Sequence, residues 1–178
     1  MRYLASLVAL VLAVAPAVAD DSIVQFDARF DFAKVRTFAI RDGRLRSARE
    51  ELTNALVAQN LKEAIRAQLV ARGLKESAAG ADLFVDFSVT SDDYSIGSGG
   101  RANRIGTGVR GRRGTAGDGP PDFSIAVLVI DLVASQQPEL LVWRGVYRDT
   151  ERNISKMVQK LPDDTRKLIS DYPPKGER

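Results

Sequence analysis

The chain has 178 residues, with 26 basic and 23 acidic side chains, a formal net charge of +3, and neither histidine nor cysteine. The two absences exclude Ser-His-Asp and Cys-His nucleophilic sites, thiol redox chemistry, and zinc held by histidine or cysteine. The length fits one domain that buries a core without disulfide staples.

Residues 1–19 carry the pattern of an export signal. Arg2 gives a basic start, Leu4 to Val14 is apolar and uncharged, and Ala17-Val18-Ala19 is a small-x-small cleavage site that places the cut before Asp20. The apolar run is shorter than the ~20 residues a bilayer span needs, and Pro16 ends it. No other run is long enough to span a membrane, so the mature chain, 20–178, is expected as one α+β domain in solution. Export without disulfides fits a bacterial periplasm. Asn153-Ile154-Ser155 matches a glycosylation acceptor, a triplet too short to carry weight.

Ser22 to Phe26 is a β-prone run, and Thr37 to Ile40 reads as a second strand with Phe30 and Phe32 as apolar plugs before it. Ser47-Ala48-Arg49-Glu50 fits a capping box, in which the serine oxygen accepts from the Glu50 amide. It predicts one long helix over 48–72, with Val57, Leu61, Ala64, Ile65 and Gln68 in a single stripe, stopped by Gly73 with Leu74 folding back. From Asp82 to Thr90 the residues alternate: Leu83, Val85, Phe87 and Val89 face one way, and Asp82, Asp86, Ser88 and Thr90 the other. Phe84 is the exception.

Residues 97–119 hold five arginines and one acid, Asp118, a local net charge of +4. The basic balance of the chain therefore belongs to this glycine-rich stretch, read as a flexible loop between two strands. Phe123 to Ala134 is apolar on both parities, which predicts a central strand covered on both sides. A turn at Ser135-Gln136-Gln137-Pro138 leads into a strand from Leu140. Here Leu141, Trp143, Gly145 and Tyr147 share one face, and Val142, Arg144, Val146 and Arg148 the other. This hairpin is the centre of the expected sheet. Ile154 to Lys160 predicts two helical turns, with Pro162 opening a separate helix that ends near Asp171. The order implies an α+β two-layer sandwich: a mostly antiparallel sheet of four to five strands with two helices on one face. If the strands ending at Ile40 and starting at Leu83 are parallel neighbours, the passage between them is a right-handed crossover.

Five motifs in this order carry a resemblance. They are FDARFDFAKVRTFAI with its Asp31-Phe32 and Thr37-Phe38, Gly73-Leu74, Ala81-Asp82-Leu83, Leu141-Val142-Trp143-Arg144-Gly145, and the closing Tyr172-Pro173-Pro174. Together they span nearly all of the mature chain, and the chain resembles a bacterial envelope family, domain of unknown function 4136. The resemblance implies an exported protein facing the cell envelope, often lipid-anchored. This chain departs from such anchoring, having no junction cysteine, and its glycine-arginine stretch exceeds the family pattern. The family brings no reaction and no functional residues to carry over.

The candidate sites are few. Arg101, Arg104, Arg110, Arg112 and Arg113 form a candidate anion-binding set, since guanidinium forks match the oxygens of a phosphate-bearing envelope lipid. The alternative is an insert whose arginines only keep it soluble. No aromatic residue lies among them, and an export signal argues against nucleic acid. Gly106 to Gly111 spells the dinucleotide fingerprint, but no strand precedes it and no helix opens after it. Asp131 on the central strand needs a partner, with Arg144 or Arg148 in reach as an ion pair. Trp143 and Tyr147 read as core before they read as a pocket lining.

Three functional classes remain. The leading one is a non-enzymatic envelope protein, a binding or assembly module without cofactor or metal, whose partner is an envelope protein or an anionic envelope lipid. The second is a carboxylate hydrolase acting on envelope material, which requires two or more of Asp82, Asp86, Asp131 and Glu139 to converge. The third is a small-molecule carrier, which requires a cavity between the layers.

Overall fold

The computed structural model describes residues 21–96, 102–104, 122–138 and 140–174. The expected export signal lies outside the described residues, as does most of the glycine-arginine stretch. The strands are β1 (Asp21–Phe26), β2 (Thr37–Ile40), β3 (Arg44–Arg46), β4 (Lys75–Glu76), β5 (Leu83–Ile96), β6 (Ala102–Arg104), β7 (Phe123–Ala134) and β8 (Leu141–Glu151). The helices are α1 (Glu50–Thr53), α2 (Ala55–Ala71) and α3 (Ile154–Ile169), and a 3₁₀ turn covers Phe32–Lys34.

The strands form one sheet in the order β1-β8-β7-β5-β2-β4, with β3 and β6 also paired to β5. The α+β class is as expected, but the sheet is larger and mixed. β1, β8, β7, β5 and β6 pair antiparallel, whereas β2 and β3 run parallel to β5, and β4 parallel to β2. The expected count missed β3, β4 and β6 because two- and three-residue strands are too short to show a period of two. β2 and β5 are the parallel neighbours that the crossover required.

Alternation along β5 and β7 sorts the side chains to two faces. Leu83, Val85, Phe87 and Val89 of β5 are buried with Ala126, Leu128, Ile130 and Leu132 of β7, under α2 and α3. The other parity of β7, with Ile125, Val127 and Val129, is only half-buried. The strand is central, but among the described residues no helix covers its second face, contrary to the expectation of cover on both sides. Apolar β-branched residues on an open face read the same in sequence as buried ones.

Three local expectations are also corrected. The long helix is broken at Asn54, whose backbone is extended and whose side-chain oxygen accepts from the Val57 amide at 3.0 Å. Leu52 and Val57 are both buried. In one straight helix they would point about 140° apart, so the break lets both reach the core. Ser47 does not make the capping box; its oxygen accepts from the Arg49 amide and meets the Ser91 hydroxyl. Within α2 the buried stripe is Val57, Leu61, Ile65 and Leu69, with Ala64 and Gln68 at its margins.

At the end of α2, Gly73 takes φ +89°, and its amide donates to the Val70 carbonyl while that of Leu74 donates to Leu69. This is the paired Schellman pattern, which needs a left-handed residue at that position. Helix α3 runs unbroken through Pro162. Its buried residues Met157, Leu161, Asp164, Thr165, Leu168 and Ile169 stay in phase across the proline, so packing overrides the missing amide. Asn153 caps it, accepting from the Ser155 amide at 2.9 Å.

In the hairpin, Val133 pairs with Leu141 and Leu132 with Trp143, a bulge that leaves Val142 unpaired in register. Val142 and Trp143 are both buried in consequence, and Leu141 is partly exposed, the reverse of the expected faces for Leu141 and Val142.

Candidate functional site

Most of the recognised motifs converge at one end of the fold. Phe32 makes edge-on contacts with Phe30 (4.9 Å), Phe26 (6.4 Å) and Tyr172 (5.8 Å), and Tyr172 does so with Trp143 (6.3 Å). Arg72, just before Gly73-Leu74, donates to the carbonyls of Ser170 and Tyr172. Gly145 is where Trp143 and Leu168 close over the strand: a Cβ there would stand 2.6 Å from the Trp143 ring and 2.7 Å from Leu168 Cγ. Trp143 and Tyr147 are thus core. The aromatic residues of these motifs build packing.

Asp82 belongs to the same end. Its carboxylate accepts from the Arg36 amide (2.8 Å), the Thr37 amide (2.9 Å) and the Thr37 hydroxyl (2.9 Å), and its own amide donates back to Thr37. These donors, first the Arg36 amide and then that of Thr37, hold its pKa below the usual carboxylate value. Burial and the Asp82 charge push the Tyr172 phenol up to about 12. A 300 Å³ hollow lies beside this clasp, lined by Phe30, Asp31, Lys34 and the hairpin turn.

The helix-free face of the sheet is different in kind. Across it run rows fixed by register. Arg41, Asp86, Asp131, Arg144 and Gln25 make the first row, and Arg44, Ser88, Val129, Val146 and Ile23 the second. Arg46, Thr90, Val127 and Arg148 follow in the third. Arg144 grips Asp131 with two bonds of 2.7 Å, the ion pair expected from sequence, and this bond holds the Arg144 pKa above its ordinary value. Arg41 grips Asp86 in the same forked way and lies over the Phe84 ring at 5.0 Å. Phe84, the exception in the alternation, is therefore the platform for a cation on the open face.

Asp86 and Asp131 stand directly opposite each other, so the structure does bring two of the four candidate carboxylates together. Both are occupied by guanidinium forks. Asp82 sits apart in its clasp, and Glu139 lies outside the described residues. Among the described residues no three metal-ligating side chains gather.

Between β3 and β8 this face holds a groove of about 460 Å³, lined by Arg44, Arg46, Ser88, Thr90, Val129 and Val146, with the Asp86–Asp131–Arg144 row at one side. A second groove of about 380 Å³ continues from Thr90 over Val127 and Ile125. Sequence reasoning missed Arg44 and Arg46. Their i, i+2 spacing was visible, but a three-residue strand gives no periodicity to place them on a face. Of the arginines singled out in the sequence, Arg104 lies in β6 opposite Tyr94. Arg101, Arg110, Arg112 and Arg113 lie outside the described residues.

One further polar group is buried between α3 and β8. Asp164 is 1 % exposed, and desolvation drives its carboxyl up to about 6. The Tyr147 hydroxyl counters this, Asp149 adds to it, and Lys160 and Lys167 oppose it. The space between the helices themselves is closed: the hollow bounded by Val57, Leu61, Val158 and Leu161 measures about 10 Å³.

The family model "Domain of unknown function (DUF4136)" matches residues 23–174. No curated protein matches the chain. Among solved structures, it is similar to a PDZ domain protein from Parabacteroides distasonis, with TM-score 0.60 and 14 % identity over 89 % of this chain and 36 % of that one. The chain thus spans about a third of that protein. It is also similar to a DUF4136 family protein from Bacteroides thetaiotaomicron, with TM-score 0.56 and 12 % identity over 86 % and 96 % of the two chains. PelC from Paraburkholderia phytofirmans, a dodecamer, gives TM-score 0.49 and 12 % identity over 84 % and 95 %. At these identities the likeness to the first two is one of fold.

Proposed function

The chain belongs to the DUF4136 family, and from that premise we propose that it is an exported envelope protein that acts by contact, a binding or assembly module, rather than by turnover. The observation that carries this reading is the helix-free sheet face. Its two central carboxylates are each held by an arginine, while Arg44 and Arg46 have no such partner among the described residues. A face built this way presents recognition groups and spare positive charge. The signal pattern of residues 1–19 supports export; the place proposed is the periplasm, peripheral to the outer membrane, and the partner an envelope protein or anionic envelope lipid. No helix among the described residues is long and apolar enough to cross a membrane.

The test is fractionation of the producing cell with N-terminal sequencing. The expected product is periplasmic and starts at Asp20. A cytoplasmic product that still begins at Met1 overturns the reading.

The facing pair Asp86 and Asp131 favours a second reading, a carboxylate hydrolase on envelope material. A hydrolase needs one carboxyl to give a proton and the other to attack or activate water. With Arg41 and Arg144 forked onto them, neither carboxylate is aimed at a substrate. Turnover of an envelope polysaccharide or peptide that Asp131→Asn abolishes would establish this reading and end the first. The hollow between α2 and α3, about 10 Å³, is too small for a carried molecule and gives the carrier reading no support.

A further inference from the structure

The groove on the open face has a charged end and an apolar floor. Arg44 and Arg46 alternate on β3, so both project to the same side, in register with Ser88 and Thr90 of β5. Neither side chain makes an ion pair or hydrogen bond with another described residue. Beyond the two hydroxyls the floor becomes apolar at Val129 and Val146; in the next groove Val127 and Ile125 lie between Asp92 and Arg148. Along the row from Arg44 the floor ends at Ile23, 52 % exposed, about 19 Å away at four strand spacings. The volume of about 460 Å³ falls in the range of small-molecule sites.

We propose that this groove binds a single-chain amphiphile, its anionic head held between Arg44 and Arg46 and its apolar chain laid over Val129 and Val146. Two unpaired guanidiniums on one side fit a phosphate or carboxylate through forked donors. Half-buried valines with no described helix over them favour a hydrocarbon chain that removes them from water, at roughly 25 cal/mol per Å² covered. A purely polar anion would leave the valines wet, and a neutral hydrocarbon would leave the arginines unmatched. The Asp86–Asp131 row bounds the head's place, because its two arginines, Arg41 and Arg144, are already committed to carboxylates. The proposal rests on the contact reading above and adds the ligand class.

The experiment is calorimetric titration of the full mature chain, below micelle concentrations, with dodecyl phosphate, dodecanoate, dodecyl maltoside and inorganic phosphate. Both anionic amphiphiles are expected to bind one to one, the tighter of the two naming the headgroup, and the neutral detergent and free phosphate at least about tenfold more weakly. The Arg44→Ala/Arg46→Ala double variant is expected to lose about tenfold or more in affinity at unchanged melting temperature, because both side chains are exposed. Val129→Asn is expected to weaken the amphiphiles and leave free phosphate unchanged; Val127→Asn serves as the second floor variant if the first fails to fold. Equal binding by dodecyl maltoside, an unaffected double variant, or no binding by either anionic amphiphile each overturns the site. Free phosphate binding as tightly as dodecyl phosphate overturns the apolar half of it. None of these outcomes bears on where the protein resides, so the fractionation result separates failure of this site from failure of the wider reading.

Discussion

The two faces of the central sheet are made from the same strands and obey opposite rules. On the covered face, alternate residues of β5, β7 and β8 are apolar and pack against α2 and α3, and the motifs that mark the family close its lower end. On the open face the same strands carry arginines, aspartates, hydroxyls and half-buried valines in rows. A substitution on the first face disturbs a packed interior, where space is already filled. On the second it meets solvent, where ion pairs contribute little to stability and side chains are free to serve a ligand. The family motifs therefore mostly identify the fold, and the open face, to which they contribute Arg144, carries the candidate site.

The contrast is sharpest at Gly145. Gly145→Ala puts a methyl against Trp143 and Leu168, both buried, and is expected to cost about 3 kcal/mol, read as a lower urea midpoint at constant slope. A loss below about 0.5 kcal/mol would show that the covered face is looser than its burial implies.

Asp164→Asn is next, and its sign depends on pH. Burial raises the folded-state pKa to about 6, above the ordinary 3.8. Below pH 4 the group is neutral in both states. Between 4 and 6 the unfolded chain ionises first, so the native protein loses stability as pH rises, and above 6 the loss is constant. The asparagine variant is therefore expected to be more stable than the parent at pH 7 by about 2–3 kcal/mol, with the gain vanishing near pH 3.5. A pH-independent difference between the two unfolding curves would contradict the buried-carboxyl account.

Asp82→Ala leaves two amides and a hydroxyl without their acceptor, and is expected to cost about 2 kcal/mol at pH 7. Its pKa is lowered, so its contribution is present above pH 4 and lost as pH falls below that value, opposite to Asp164. The smallest effect belongs to the open face. A double-mutant cycle on Asp131 and Arg144, the latter 41 % exposed, is expected to give a coupling under about 1 kcal/mol. A coupling of several kcal/mol would mean that the open face also holds the fold together.

Much of the covered face was legible in the residues. The stop at Gly73, the alternation from Leu83 and the central position of Phe123–Ala134 follow from period and turn chemistry. On the open face, charge pointed to a partner for Asp131 in Arg144 or Arg148, and the structure gives Arg144. The break at Asn54 and the continuity through Pro162 did not. In both, local preference pointed one way and the burial of a stripe, Leu52 with Val57 or Met157 through Ile169, decided the other.

What the sequence determined by itself was the α+β class, the main strands and helices, the lack of histidine and cysteine chemistry, and the family. These depend on neighbours in the chain or on composition, where the physical signal is local. What only the tertiary structure decided was which parity of β7 lay bare, that β3 joins β5 and so lines up Arg44 and Arg46 beside Val129, and that Asp86 faces Asp131. Those facts are set by pairing between distant segments, and pairing leaves no mark in the order of residues along any one of them.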